Sequence, residues 1–277
     1  MPSSKPTLGY AAIGALALAC AGITATVRAG DEQRGSIAPI SPARCDDMAK
    51  HNIIRPGAPV GCARLSLVKF AYVDFGGRAH GDGEIVVMDA AAENVLRIFA
   101  RLREIRFPIA KARLIDHYDG NDDASIADNN TSAFNARNVA GTSSLSLHAY
   151  GLAIDLNPIQ NPYVQHSGGK VLFSPPAAVE YANRKKARAG MAESVVDVFA
   201  AEGFVVWGGY WHDPIDYQHF QVSRGFAERL ARLSPAQARA AFEQHVERYR
   251  ACRRNGAPKS NRAKCIALDV ATGRAGN

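Results

Sequence analysis

Ser146-Leu147-His148-Ala149-Tyr150-Gly151-Leu152-Ala153-Ile154-Asp155 sets an imidazole and a carboxylate seven residues apart. The second half alternates. Leu152, Ile154 and Leu156 fall on one side of an extended chain, Ala153 and Asp155 on the other. The pattern predicts a short strand with an apolar face in a core and an opposite face carrying one small residue and one carboxylate. Seven is not the spacing of two groups on one helical turn. A turn must therefore bring His148 beside Asp155, and Gly151 supplies the backbone freedom for it. Ser146 and the small Ala153 leave room around the pair.

Asp216-Tyr-Gln-His219-Phe220 adds a second carboxylate and a second imidazole. It follows Val206-Trp-Gly-Gly-Tyr-Trp-His-Asp-Pro214, whose glycines and proline mark irregular backbone of the kind that carries functional groups. Asp216 and His219 are three apart. A strand would send them to opposite faces, whereas a helical turn or tight loop puts them on the same side. Two His and one Asp can hold a zinc ion and leave its fourth position open for water. The remaining Asp can then act as base towards that water. The residues alone thus point to a zinc hydrolase.

Both stretches, in this order, resemble the LAS metallopeptidases, the zinc D-alanyl-D-alanine carboxypeptidases and L-alanyl-D-glutamate endopeptidases of bacterial cell walls, with the extensin-like branch the nearest. That family reads Ser-x-His-x-x-Gly-x-Ala-x-Asp, then Glu or Asp-x-x-His. The resemblance extends to Asn130-Thr-Ser-Ala-Phe-Asn-Ala-Arg137 and to Trp207-Gly-Gly-x-Trp211, and spans 65–222. It implies His148, Asp155 and His219 as ligands of one zinc ion and Asp216 as the catalytic carboxylate, with a water on the zinc as nucleophile. It implies that Arg137 binds substrate oxygen and steadies the tetrahedral charge, and that Ser146 lies at the substrate. It also implies an α+β fold, a small antiparallel sheet with flanking helices, of the Hedgehog/DD-peptidase type. The substrate it implies is the peptide stem of peptidoglycan, cut either as an endopeptidase or as a D,D-carboxypeptidase. Asp216 stands where many members have Glu, one methylene longer, and the endopeptidase branch often has Asp there. The alternative is a non-catalytic zinc-containing wall-binding or signalling module, because the fold also occurs in Hedgehog signalling domains. Retention of Arg137 and Asp216 argues against it.

The other histidines, His51, His80, His117, His166, His212 and His245, read as structural or exposed, with His212 nearest the second motif. Trp207, Trp211 and Phe220 read as core or pocket wall.

The start of the chain reads as an export signal. Lys5 precedes an uncharged run from Pro6 to Val27, and Val27-Arg28-Ala29 offers small-residue cleavage. Residues 8–27 are also long enough for an uncleaved membrane tether. Cys45 with Cys62, and Cys252 with Cys265, flank loop-like stretches without any CxxC, which favours disulfides in an oxidising compartment, although four cysteines allow three pairings. The reading is therefore an exported, periplasmic or cell-envelope protein.

The expected division is 1–29 as signal or anchor, 30–64 as a cysteine-pinned extension, 65–222 as the zinc peptidase domain and 223–277 as a helical extension. The formal charge is +7, and +5 without Lys5 and Arg28 of the first 29 residues. The densest basic stretch, Arg248 to Arg254, is no nucleic-acid patch. It is either a solvated face or a loose attraction to anionic wall polymer or membrane. Strands are expected at 65–74 and 109–117, and 85–88 is a short apolar run. Helices are expected from 90 to 106 with Asp89 as N-cap, from 191 to 202 ahead of a strand at 204–207, and over 226–253 with a break at Pro235. Residues 119–144 are expected to form a long loop over the site.

Overall fold

The computed structural model describes residues 1–3, 35–139, 141–255 and 262–267. The expected signal or tether falls almost entirely on 4–34, outside the described residues. No helix among the described residues is long and apolar enough to cross a membrane.

The described residues are mixed α and β, with three small antiparallel sheets among them where the sequence reading expects one. The first joins β1 (Ser36–Pro39), β2 (Leu65–Val73) and β3 (Ala79–Met88), in that order. The second has the order β4 (Ala153–Asp155), β9 (His219–Gln221), β7 (Val206–Trp207). The third has the order β6 (Lys170–Ser174), β5 (Tyr163–Ser167), β8 (Ile215–Asp216). The helices are α1 (Pro42–Lys50), α2 (Ala92–Glu104), α3 (Asp122–Ala127), α4 (Val196–Ala201), α5 (Arg224–Arg232) and α6 (Pro235–Arg254).

α2 carries an apolar stripe. Val95, Ile98, Phe99 and Leu102 are all buried, and Phe99 stacks on Phe70 of β2 with ring centroids 3.7 Å apart. Burying one such side chain contributes about 1.5–3 kcal/mol, so this face pins α2 to the first sheet. The same apolar core runs from Met48 in α1 to Val246 in α6.

Four local expectations need correction. Asp89 does not cap α2. Ala91 sits at the cap position without a side-chain bond, and Asp89 instead pairs with Arg64 at 3.1 Å. A largely buried carboxylate gains more from a guanidinium than from one backbone N–H. Residues 109–117 form no strand. Side chains take two of their backbone N–H groups, Ala110 N donating to Asn157 Oδ1 at 3.0 Å and Arg113 N to Asn130 Oδ1 at 2.8 Å, while Ile109 N and the Lys111 and Ala112 carbonyls make single backbone bonds to Val73, Thr131 and Glu84. The stretch 119–144 is not structureless, since Asn121 caps α3 within it. The helix expected over 191–202 is a 3-10 turn, Ala192–Ser194, followed by the shorter α4.

The helical C-terminal stretch divides as expected. Pro235 is the first residue of α6, behind a capping box formed by Ser234 and Gln237. Both expected disulfides form, Cys45–Cys62 and Cys252–Cys265.

Candidate metal centre

Each half of the centre is built by a local device. Ser146 Oγ accepts from His148 N at 3.3 Å and starts the 3-10 turn Leu147–Tyr150. Gly151 ends that turn at φ +66°, packed so closely that a Cβ would lie 2.5 Å from Met88 N. Only glycine combines that dihedral with that approach. The chain then enters β4, which carries Asp155. Both faces of β4 are buried, Ala153 and Asp155 as well as Ile154. The backbone of Asp155 exchanges two hydrogen bonds with Ser132, at 2.9 and 3.0 Å.

The second motif is neither a helical turn nor one strand. Asp216 ends β8 and His219 begins β9, and Tyr217-Gln218 carry the chain from the third sheet to the second. In the antiparallel β4–β9 pair His219 lies directly opposite Asp155. Opposed residues on neighbouring strands bring their side chains together.

Three ligand-type side chains therefore converge. His148, Asp155 and His219 are all buried, and one ligand atom from each lies within 4.8 Å of the others. His219 Nδ1 is 2.8 Å from Asp155 Oδ1, and His148 Nε2 is 3.1 Å from Asp155 Oδ2. The outer nitrogens are occupied. His148 Nδ1 donates to the Ala133 carbonyl, and His219 Nε2 donates to Gln221 Oε1 at 2.7 Å. In the neutral rings both inward nitrogens then carry lone pairs, facing each other and a carboxylate. Such a set calls for a cation between its members. Zinc ligands about 2.0–2.1 Å from a tetrahedral ion stand about 3.3 Å apart. The spacings here approach that value, and a His-Asp-His donor set suits zinc.

The electrostatics say the same. Burial would lift the Asp155 carboxyl, but the charge and hydrogen bonds of His148 and His219 hold it well below the usual range. Burial pulls His219 down, yet Asp155 outweighs it and the imidazole is pushed up to about 9. The trio favours positive charge at its centre. Asp216 behaves oppositely. Burial pushes it up to about 7, against the pull of His219 and with Asp155 adding to the rise. Asp216 Oδ1 is buried without a hydrogen-bond partner.

These residues line a cleft of about 430 Å³ together with Arg137, Ser146 and Trp211. Arg137 is paired with Asp122 of α3 at 2.7 Å, so the stretch over the site contributes both members of that pair. The Trp211 ring stands 5.6 Å from that of His219, on the wall, whereas Trp207 and Phe220 are buried core. Every expected site residue lies in this one cleft.

None of the other six histidines joins the group. His51 pairs with Asp119, His80 with Asp74 and His166 with Asp213, while His245 bonds the Gly203 carbonyl. His117 and His212 are exposed. Sequence reasoning missed Gln221, two residues past His219 on the same strand, and the Ala133 carbonyl. Strand periodicity could have flagged Gln221, but a backbone carbonyl leaves no trace in sequence.

No curated protein and no solved structure matches the chain. A family model described as D-alanyl-D-alanine carboxypeptidase matches residues 140–222. That segment holds His148, Asp155, Asp216 and His219, is narrower than the resemblance at 65–222, and begins just after Arg137. Over residues 140–222, then, the chain is similar to the D-alanyl-D-alanine carboxypeptidase family.

Proposed function

We propose that the protein is a zinc peptidase that hydrolyses peptide bonds in the peptidoglycan stem, with His148, Asp155 and His219 as the metal ligands. The observation that carries this reading is the convergence of two imidazole nitrogens and a carboxylate beside a second carboxylate, Asp216, one of whose oxygens is buried without a partner. The peptide substrate rests on the family match over 140–222. Zinc held there would acidify water and polarise a carbonyl.

The chain's own groups divide the remaining work. Asp216, with a pKa near neutrality, takes a proton from the attacking water and returns it to the leaving nitrogen. Arg137 directs a guanidinium at the oxygen on which charge develops, and Asp122 fixes its orientation. Ser146 shapes the turn that presents His148 and lines the cleft beside it. Trp211 walls the cleft against bulk water. Two disulfides fit an oxidising compartment, which agrees with work at the cell envelope.

The test is digestion of purified peptidoglycan by the zinc-loaded protein, with fragments identified by mass spectrometry. Release of D-alanine marks a carboxypeptidase. New amino termini at D-glutamate mark an endopeptidase. Intact stems from folded, zinc-loaded protein would refute the reading.

A further inference from the structure

Among the described residues, the buried side-chain polar atoms without a hydrogen-bond partner are Arg137 Nε, Arg188 Nε, Asp216 Oδ1, Gln218 Oε1 and the Tyr249 hydroxyl. Three of them belong to residues that line the one cleft: Arg137, Asp216 and Gln218. Buried polar atoms are nearly always paired, so unpaired ones gathered at a single site await a partner from outside the chain.

Gln218 has no place in the motif, where it fills a variable position between Asp216 and His219. It is nonetheless only 2 % exposed. Its backbone carbonyl accepts from Leu156 N at 3.0 Å, which anchors it at the end of β4. Against the dominant effect of burial, its side-chain amide favours the carboxylate form of Asp216. Its amide oxygen, Oε1, is buried without a hydrogen-bond partner. A glutamine held this tightly, with its acceptor left over, is poorly explained by packing alone.

The two orphan oxygens, Asp216 Oδ1 and Gln218 Oε1, are both acceptors. The third orphan, Arg137 Nε, is a donor. A peptide group offers the complement, an N–H for acceptors and a C=O for a donor. We infer that Gln218 Oε1 and Asp216 Oδ1 form a subsite for the nitrogen on the leaving side of the scissile bond. This rests on the peptidase reading. In the substrate that nitrogen carries one N–H. In the product it is a free amine or ammonium, with hydrogens enough for both oxygens. The subsite therefore binds more strongly as the C–N bond gives way, which is where binding raises turnover. Gln218 acts both on the nitrogen and as a positioning residue for Asp216.

The experiment compares amines with their N-acetyl forms on the zinc-loaded protein, by quenching of tryptophan fluorescence. D-Alanine and D-glutamate serve as probes, since they head the amine products of the two candidate cuts. The wild type is expected to bind the free amines about tenfold more tightly than the acetylated forms. Gln218→Leu, of similar size, is expected to bring that ratio close to one at unchanged zinc content. Gln218→Glu keeps both acceptors and is expected to widen it, which decides the matter should the leucine variant fail to fold. A wild type that does not discriminate, or a ratio unchanged by either variant, overturns the inference. Peptide hydrolysis by the same wild-type preparation reads the peptidase proposal separately, so the two failures are told apart.

Discussion

His148 turns Nε2 inward and His219 turns Nδ1 inward, and the two nitrogens stand 3.2 Å apart. The difference follows from what holds each ring. The Ala133 carbonyl takes the Nδ1 proton of His148, and Gln221 takes the Nε2 proton of His219. Loss of such an outer partner typically lowers metal affinity about 10–100-fold. Gln221→Leu is expected to weaken zinc binding by that factor in competition with a chelator. Unaltered affinity would mean that Gln221 does not set the His219 tautomer.

Without metal the centre should carry its own pH signature. His219 is raised from 6.5 to about 9. Its contribution to stability is complete below pH 6.5 and is lost as pH rises through about 9. Asp216 is raised from 3.8 to about 7, so folding is favoured while it stays protonated and that advantage fades by about pH 7. Both groups therefore make the chelator-treated protein less stable as pH rises from about 4 to about 9, by up to about 8 kcal/mol at about 1.4 per unit. Urea midpoints across that range should fall, and Asp216→Asn should flatten the acidic half. A midpoint that climbs instead would contradict the arrangement of charges.

Gly151 joins the two halves of the first motif. At φ +66°, with Met88 N 2.5 Å from the position of a Cβ, it tolerates no side chain. Gly151→Ala is expected to cost about 2–4 kcal/mol. Because the strain falls between His148 and Asp155, zinc content should drop as well. Thermal unfolding with metal analysis of the purified variant checks both, and a stable variant with full zinc would show that the turn is less tightly held.

The outer cross-links make a different kind of contribution. Cys45–Cys62 spans 17 residues and Cys252–Cys265 spans 13. Closing loops of this size restricts the unfolded chain by about 3 kcal/mol each. Replacing either pair with alanine should lower the urea stability by about that amount and leave zinc content intact, since neither pair touches the cleft. Equal stability with and without the bridges would show that the unfolded chain is not constrained by them.

What the sequence reveals about the site depends on how local each cause is. His148, Gly151 and Asp155 belong to one turn and one short strand, so spacing and side-chain type foretell them. Asp216 and His219 are harder to read. Their shared side comes from a chain that leaves one sheet and enters another at Tyr217-Gln218, a tertiary event rather than a helical repeat. The strand expected at 109–117 fails for a similar reason. Apolar alternation is present, but Asn130 and Asn157, distant in sequence, take two of the backbone N–H groups, those of Arg113 and Ala110, that a strand ladder would have used. Asp89 looks like a cap locally and is claimed by Arg64 from the turn before β2. The Arg137–Asp122 pair was hidden because α3 forms inside a stretch whose composition reads as loop.

The most direct test of the proposal is to measure zinc content and peptidoglycan hydrolysis side by side for the wild type and Asp216→Asn. One zinc ion in each protein is expected, with hydrolysis by the wild type, abolished by chelator, and a loss of at least about a hundredfold in the variant. Asp216→Asn that cleaves as fast as the wild type, or wild type that cleaves after its zinc has been removed, would contradict it.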